Sequence, residues 1–166
     1  MRKVVALLLG ILLTPTLAWM VVEGPLRDPE DAFRDFLDHG ERAEDQLQDP
    51  LILNGRRVVP LVIAAIGNRD MELRRYAIAF LGNGQYPEAL PTLERILQNG
   101  SELDYVRADA FQSVFQIAPQ RALELAPQHA KRMGSLGSVA RRTLAGGSPV
   151  DATRSWWQAF RRAHDD

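Results

Sequence analysis

The chain opens on a nearly unbroken apolar run, Val4 to Val22 (VVALLLGILLTPTLAWMVV), with Arg2 and Lys3 ahead of it and polar, acid-rich sequence behind. At ~1.5 Å of rise per residue a helix of this length reaches roughly 28 Å, close to the ~30 Å of hydrocarbon that a spanning helix must match. The pattern predicts one N-terminal membrane helix over 1–23 and a soluble part after it. A basic start, an apolar core from Val4 to Leu13 and a small-residue exit at Thr16-Leu17-Ala18 describe a cleaved signal peptide as well. Retention fits better. Thr16 is branched, the apolar run continues through Trp19, Met20, Val21 and Val22, Pro15 is tolerated in spanning helices, and Trp19 falls where amphipathic rings gather at the interface. Both readings keep Arg2 and Lys3 in the cytoplasm and place the chain from Glu23 onward across the membrane, in the periplasm of a bacterium. Arginine supplies 18 of the 20 basic residues, which is consistent with a GC-rich bacterial genome.

Beyond the leader, apolar positions recur at helical rather than strand spacing, and turn residues interrupt them at short intervals. Asp28-Pro29-Glu30-Asp31 is a helix start: Asp28 caps, Pro29 suits the first position, and two carboxylates meet the positive end of the dipole. Phe33, Phe36 and Leu37 share a face before Gly40, and a short acidic helix is predicted over Glu41 to Gln48. Further helices are predicted over Val58 to Ile66, Met71 to Leu81 (opened by Asp70, ended by Gly82), Pro87 to Gln98, Leu103 to Ala118, Pro119 to Arg132, Ser138 to Leu144 and Asp151 to His164. The expected class is therefore all-α.

Self-similarity turns the helices into an architecture. Leu73-Arg74-Arg75-Tyr76-Ala77 aligns with Val106-Arg107-Ala108-Asp109-Ala110 at a spacing of 33 residues, and Val59-Pro60, Val62 and Ala65-Ile66 align with Leu90-Pro91, Leu93 and Ile96-Leu97 at 31. Each unit is a helix pair with one apolar face, so neighbours must stack to cover it. Tyr76 to Gly82, then Pro87-Glu88-Ala89-Leu90-Pro91-Thr92-Leu93, then Val106-Arg107-Ala108-Asp109-Ala110 resembles the bilin-lyase type of HEAT repeat. The match is good over Asp70 to Ala118 and partial outside it, with Glu124 where a second proline is expected. The resemblance implies a short α-solenoid over 56–148, capped by acidic helices over 24–55 and by a C-terminal helix over 149–166. It also implies that the repeated arginines, Arg74 and Arg107, pair with acids in the adjoining turn, for which Asp70 and Asp104 are the natural candidates.

Composition narrows the function. A net charge of −1 speaks against general nucleic-acid binding, and a chain with no cysteine has no disulfides, thiol catalysis or thiolate metal sites. Charge is uneven: Arg27 to Asp49 holds nine acids against three arginines, and Pro119 to Asp166 eight basic residues against four acids. Solvated helix faces explain this more simply than a charged partner. His39, His129 and His164 lack ligand spacing; Ser135, Ser138 and Ser148 sit in glycine-rich turns without a neighbouring base; Gly134-Ser135-Leu136-Gly137 follows no strand and is not a phosphate loop. No metal or cofactor is expected.

The resulting expectation is a non-catalytic scaffold or accessory subunit of an envelope complex that binds another protein, with the membrane reached through residues 4–22. By analogy with the repeat family the contact face lies on the second helix of each pair, at Glu88, Thr92, Arg95 and Gln98, while Leu90, Leu93, Ile96 and Leu97 pack. The C-terminal cluster Trp156, Trp157 and Phe160 beside Arg154, Arg161 and Arg162 is read as a cap, with Trp157 partly exposed for a partner. Two rivals remain open: a small-ligand or bilin-lyase-like enzyme with a deep pocket, and a leader that itself docks among membrane helices, where Gly10 permits close approach.

Overall fold

A computed structural model describes residues 27–38 and 40–150, and among them every regular element is a helix. None of these helices is long and apolar enough to cross a membrane. The leader, His39 and the C-terminal aromatic cluster lie outside the described residues. The chain divides into two compact units, one ending at Val58 and one beginning at Val59.

In the first unit, helix α1 spans Pro29–Leu37 and starts as its sequence dictates. The Asp28 carboxylate accepts from the backbone N–H groups of Glu30 (3.0 Å) and Asp31 (3.4 Å), two of the donors that a helix start leaves unpaired. Ala32 and Phe36 are buried against α2, Asp49–Asn54, and the 3-10 turn Gly55–Val58 that follows it. The acidic helix expected over 41–48 shrinks to a 3-10 turn, Glu44–Gln46, whose Ala43 start supplies no side-chain cap. Helix α2 was not legible in advance; it forms because Pro50 opens it and Leu51 and Ile52 find cover. Asp35 binds this unit together, accepting from Arg27 at 2.6 Å and from Arg42. Desolvation works to raise its pKa, and the two guanidinium groups outweigh that and hold it below the ordinary carboxylate value.

The second unit holds α3 (Val59–Ala65), α4 (Arg74–Asn83), α5 (Leu90–Gln98), α6 (Asp104–Ile117), α7 (Pro119–His129) and α8 (Ser135–Leu144). Helices α4, α6 and α8 lie side by side, with α6 in the middle. Helix α3 packs on α4, α5 on α6, and α7 on both α6 and α8, so successive pairs stack in a manner compatible with a helical-repeat solenoid. Phe80, Ile78 and Leu81 of α4, Leu93 and Leu97 of α5, Phe111 and Val114 of α6 and Leu136 of α8 are fully buried between them.

Gly82, expected to end α4, instead lies inside it and sets the spacing to α6. A Cβ at Gly82 would stand 2.6 Å from Ser113 Cα, a distance that van der Waals contact forbids. The bare backbone lets Ser113 Oγ donate to the Ile78 carbonyl at 2.9 Å across the two helices. Nor does Asp70 open α4, which begins at Arg74 behind Leu73; Asp70 is exposed in the preceding turn, where its N–H donates to Asn68 Oδ1.

Candidate functional site

An arginine in the same helix layer ends each helix pair in the same way. Arg74 of α4 donates Nε–H to the Ile66 carbonyl just past α3 (2.7 Å), and Arg107 of α6 donates Nε–H to Leu97 in the last turn of α5 (2.7 Å). Arg141 of α8 donates to Ala130 (2.8 Å) and Arg132 (3.0 Å) just past α7. The last carbonyls of a helix have no partner within it and carry the negative end of its dipole, so a guanidinium there is both donor and countercharge. These arginines lock one helix against the next, a role that α-helical spacing alone does not announce.

Their carboxylate partners differ from the expected ones. Arg74 forms its ion pair with Glu102, at 2.7 Å, rather than with Asp70. Arg74 and Glu102 side chains are 7% and 2% exposed, which makes this the most deeply buried ion pair among the described residues. Asp104 turns away from the role expected of it: its Oδ2 accepts from Leu136 N–H at 3.2 Å and caps α8, in space that a side chain at Gly134 would fill. Arg107 is buried and has the Asp104 charge nearby, but carries no close carboxylate pair.

Within reach of the Arg107 charge lies His129, buried at the end of α7 with its ring edge-on to Phe111 at 6.5 Å and Nε2 without a hydrogen-bond partner. Desolvation, with the positive charges of Arg107 and Arg132, lowers its pKa from the ordinary 6.5. An unfolded chain therefore binds this proton more readily than the folded one does, so the stability it confers is full above about pH 6.5 and is lost as pH falls through that value. Urea midpoints measured from pH 7.5 to 5.5 should fall more steeply for the parent chain than for His129→Gln; parallel curves would show that folding does not depress the His129 pKa.

Of the residues expected to meet a partner, Glu88, Arg95 and Gln98 are exposed on α5 and the 3-10 turn before it, but Thr92 is buried and cannot present its side chain. Trp157 lies outside the described residues. Among the described residues, two clefts open on the other layer. One cleft of about 540 Å³ lies between the turn before α4 and the start of α6, lined by Arg69, Met71, Glu72, Arg75, Leu103 and Tyr105. An adjoining cleft of about 500 Å³ runs between α6 and α8, with Tyr105, Ala108, Gln112, Ser135, Ser138 and Val139 on its walls. Arg75 and Tyr105 border both. The Arg75 guanidinium sits 4.8 Å from the centre of the Tyr105 ring and grips Asp109 with two hydrogen bonds, Nε–Oδ2 2.5 Å and NH2–Oδ1 3.2 Å. That grip fixes the ring and leaves Leu103 and Tyr105 projecting, 52% and 43% exposed.

This surface is suited to recognition: a rigid aromatic ring, an adjacent apolar side chain and arginines already oriented by carboxylates. Among the described residues no cluster of His, Asp and Glu has the grouping of a metal site. The sequence carried only part of this signal: Arg75 directly follows the repeated Arg74, but its partner Asp109 lies 34 residues on, one position out of phase with the 33-residue repeat. No protein family, curated protein or solved structure matches the chain.

Proposed function

We propose that this chain is a non-catalytic accessory subunit of a cell-envelope membrane complex, built from HEAT-like helix pairs and docking a partner protein on the α4–α6 cleft. One observation carries the reading: Leu103 and Tyr105 stand exposed at the rim of a concave surface, beside arginines held in place by Glu102 and Asp109. Rigid Tyr and Arg side chains next to an apolar neighbour are the groups that anchor protein interfaces, because they bury much area at little entropic cost. Residues 4–22 tether the subunit to the cytoplasmic membrane, and the helical part lies in the periplasm. The contact face thus moves from α5, where Thr92 is buried, to the first helices of the pairs.

The test is affinity purification of the C-terminally tagged chain from its native membranes in mild detergent, with mass spectrometry of the eluate. A stoichiometric partner that survives a salt wash is expected, and Tyr105→Asp and Leu103→Asp should each weaken its retention by about tenfold or more. Bait recovered alone would sink the subunit reading. A partner lost on changing Glu88, Arg95 and Gln98, but kept in Tyr105→Asp, would return the contact face to α5.

A further inference from the structure

The cleft between α6 and α8 differs from its neighbour in what reaches it. Gln112, on its wall, donates Nε2–H to the Pro149 carbonyl at 3.1 Å, and Pro149 is buried. The chain therefore arrives at Val150 on the edge of this cleft, with residues 151–166 still to follow. Those residues carry Trp156, Trp157 and Phe160, the densest aromatic cluster of the sequence.

We propose that this segment folds back on its own chain and seats the Trp156-Trp157 pair in the α6–α8 cleft. The distances allow it. Trp156 is six residue steps beyond Val150, a reach of up to about 20 Å when extended. From Gln112 back to Ala108 is about one helical turn and to Tyr105 about two, roughly 6 and 10 Å along α6. The shape suits an indole. The floor is Ala108 and Val139, the α8 wall is Gly134, Ser135 and Ser138, and the far end is the Tyr105 ring held by Arg75, so small side chains leave the room that a large flat one fills. At about 500 Å³ the cleft lies in the ~300–1,000 Å³ range of pockets that enclose a bound group. A tethered segment also meets this cleft at an effective concentration in the millimolar range, so modest apolar contact suffices to hold it where a free partner would dissociate. The occupant assigned here is the chain's own tail, and the partner cleft between α4 and α6 remains open beside it.

Tryptophan fluorescence of the full chain in detergent tests this, in a Trp19→Phe background so that only Trp156 and Trp157 report. Emission should be blue-shifted and poorly quenched by acrylamide. Ser138→Arg, which fills the cleft from an exposed position, should raise the quenching constant about threefold while leaving far-UV circular dichroism and the melting temperature unchanged. Should Ser138→Arg disturb folding, Ser135→Arg, at another exposed position on the same wall, serves as the second variant. A benzoyl-phenylalanine introduced at exposed Met133, beside Gly134, should crosslink to a peptide within 151–166 of the same chain. Solvent-like quenching in the parent, or quenching unmoved by the cleft variants, overturns the proposal. So do crosslinks that join isotope-labelled to unlabelled copies, or that capture a different protein in place of the tail. None of these readouts depends on whether a partner binds the α4–α6 cleft.

Discussion

Glu102→Ala is expected to destabilise the chain by about 3–5 kcal/mol, because it leaves the Arg74 guanidinium buried without its countercharge. The carboxylate is 2% exposed and does three things at once: it pairs with Arg74 at 2.7 Å, faces Arg69 at 3.7 Å and accepts from Leu103 N–H at 3.0 Å. For a chain of this size the loss corresponds to a fall in Tm of roughly 6–20 °C, read by circular dichroism. The double variant Arg74→Met with Glu102→Leu should recover only part of it, since the Ile66 carbonyl then loses its donor. Desolvation works to raise the Glu102 pKa, but Arg74, the Leu103 N–H and Arg69 together hold it below the ordinary 4.5. A depressed carboxylate favours the folded state above its ordinary pKa, and that contribution disappears as pH drops through the depressed value. The acid limb of the stability curve should accordingly flatten in Glu102→Ala. A melting temperature within about 2 °C of the parent would show that this ion pair is not an anchor.

Phe111→Ala should cost a similar ~3–5 kcal/mol, through a cavity rather than a charge. Phe111 is fully buried on α6, the helix that α4, α5, α7 and α8 all pack against, so no single neighbour can move in without leaving another. Urea unfolding should show a reduced midpoint with little change in slope. The ring also shields His129 edge-on. Once it is removed, water entering the cavity should move the His129 pKa back toward 6.5, visible by NMR titration of the imidazole. Phe115, on the same helix but only half-buried, offers the comparison: its alanine variant should lose clearly less. Equal losses at the two positions would mean that the centre of the stack is not where the packing places it.

Sequence and structure divide this protein unevenly. The all-helical class, the start of α1 at Asp28-Pro29 and the helix pairs between Val59 and Ile117 were legible because caps, prolines and apolar periodicity act over four or five residues. The acidic stretch before Gln48 misled, since good helix formers there have no apolar stripe to bury and like charges to separate. Helix α2 was missed for the opposite reason: six residues are too few to show a period, and burial of Leu51 and Ile52 is what makes it. Arg74 and Arg107 were visible as repeated positions, but not what they hold. Their acceptors, Ile66 and Leu97, are backbone carbonyls that carry no sequence signature, and Glu102 lies 28 residues from Arg74. Gly82 read as a helix stop because glycine often is one; only the approach of Ser113 shows that it is a contact point. Leu103 and Tyr105 drew no reading beyond the start of a predicted helix, and Thr92 was read as an exposed contact position that proves to be buried. By itself, then, the sequence determined the helical class, the repeat phase and the apolar leader, since these follow from local spacing. The partners of the buried charges, the glycine contact and the cleft were decided by tertiary structure, because each depends on which distant helices meet.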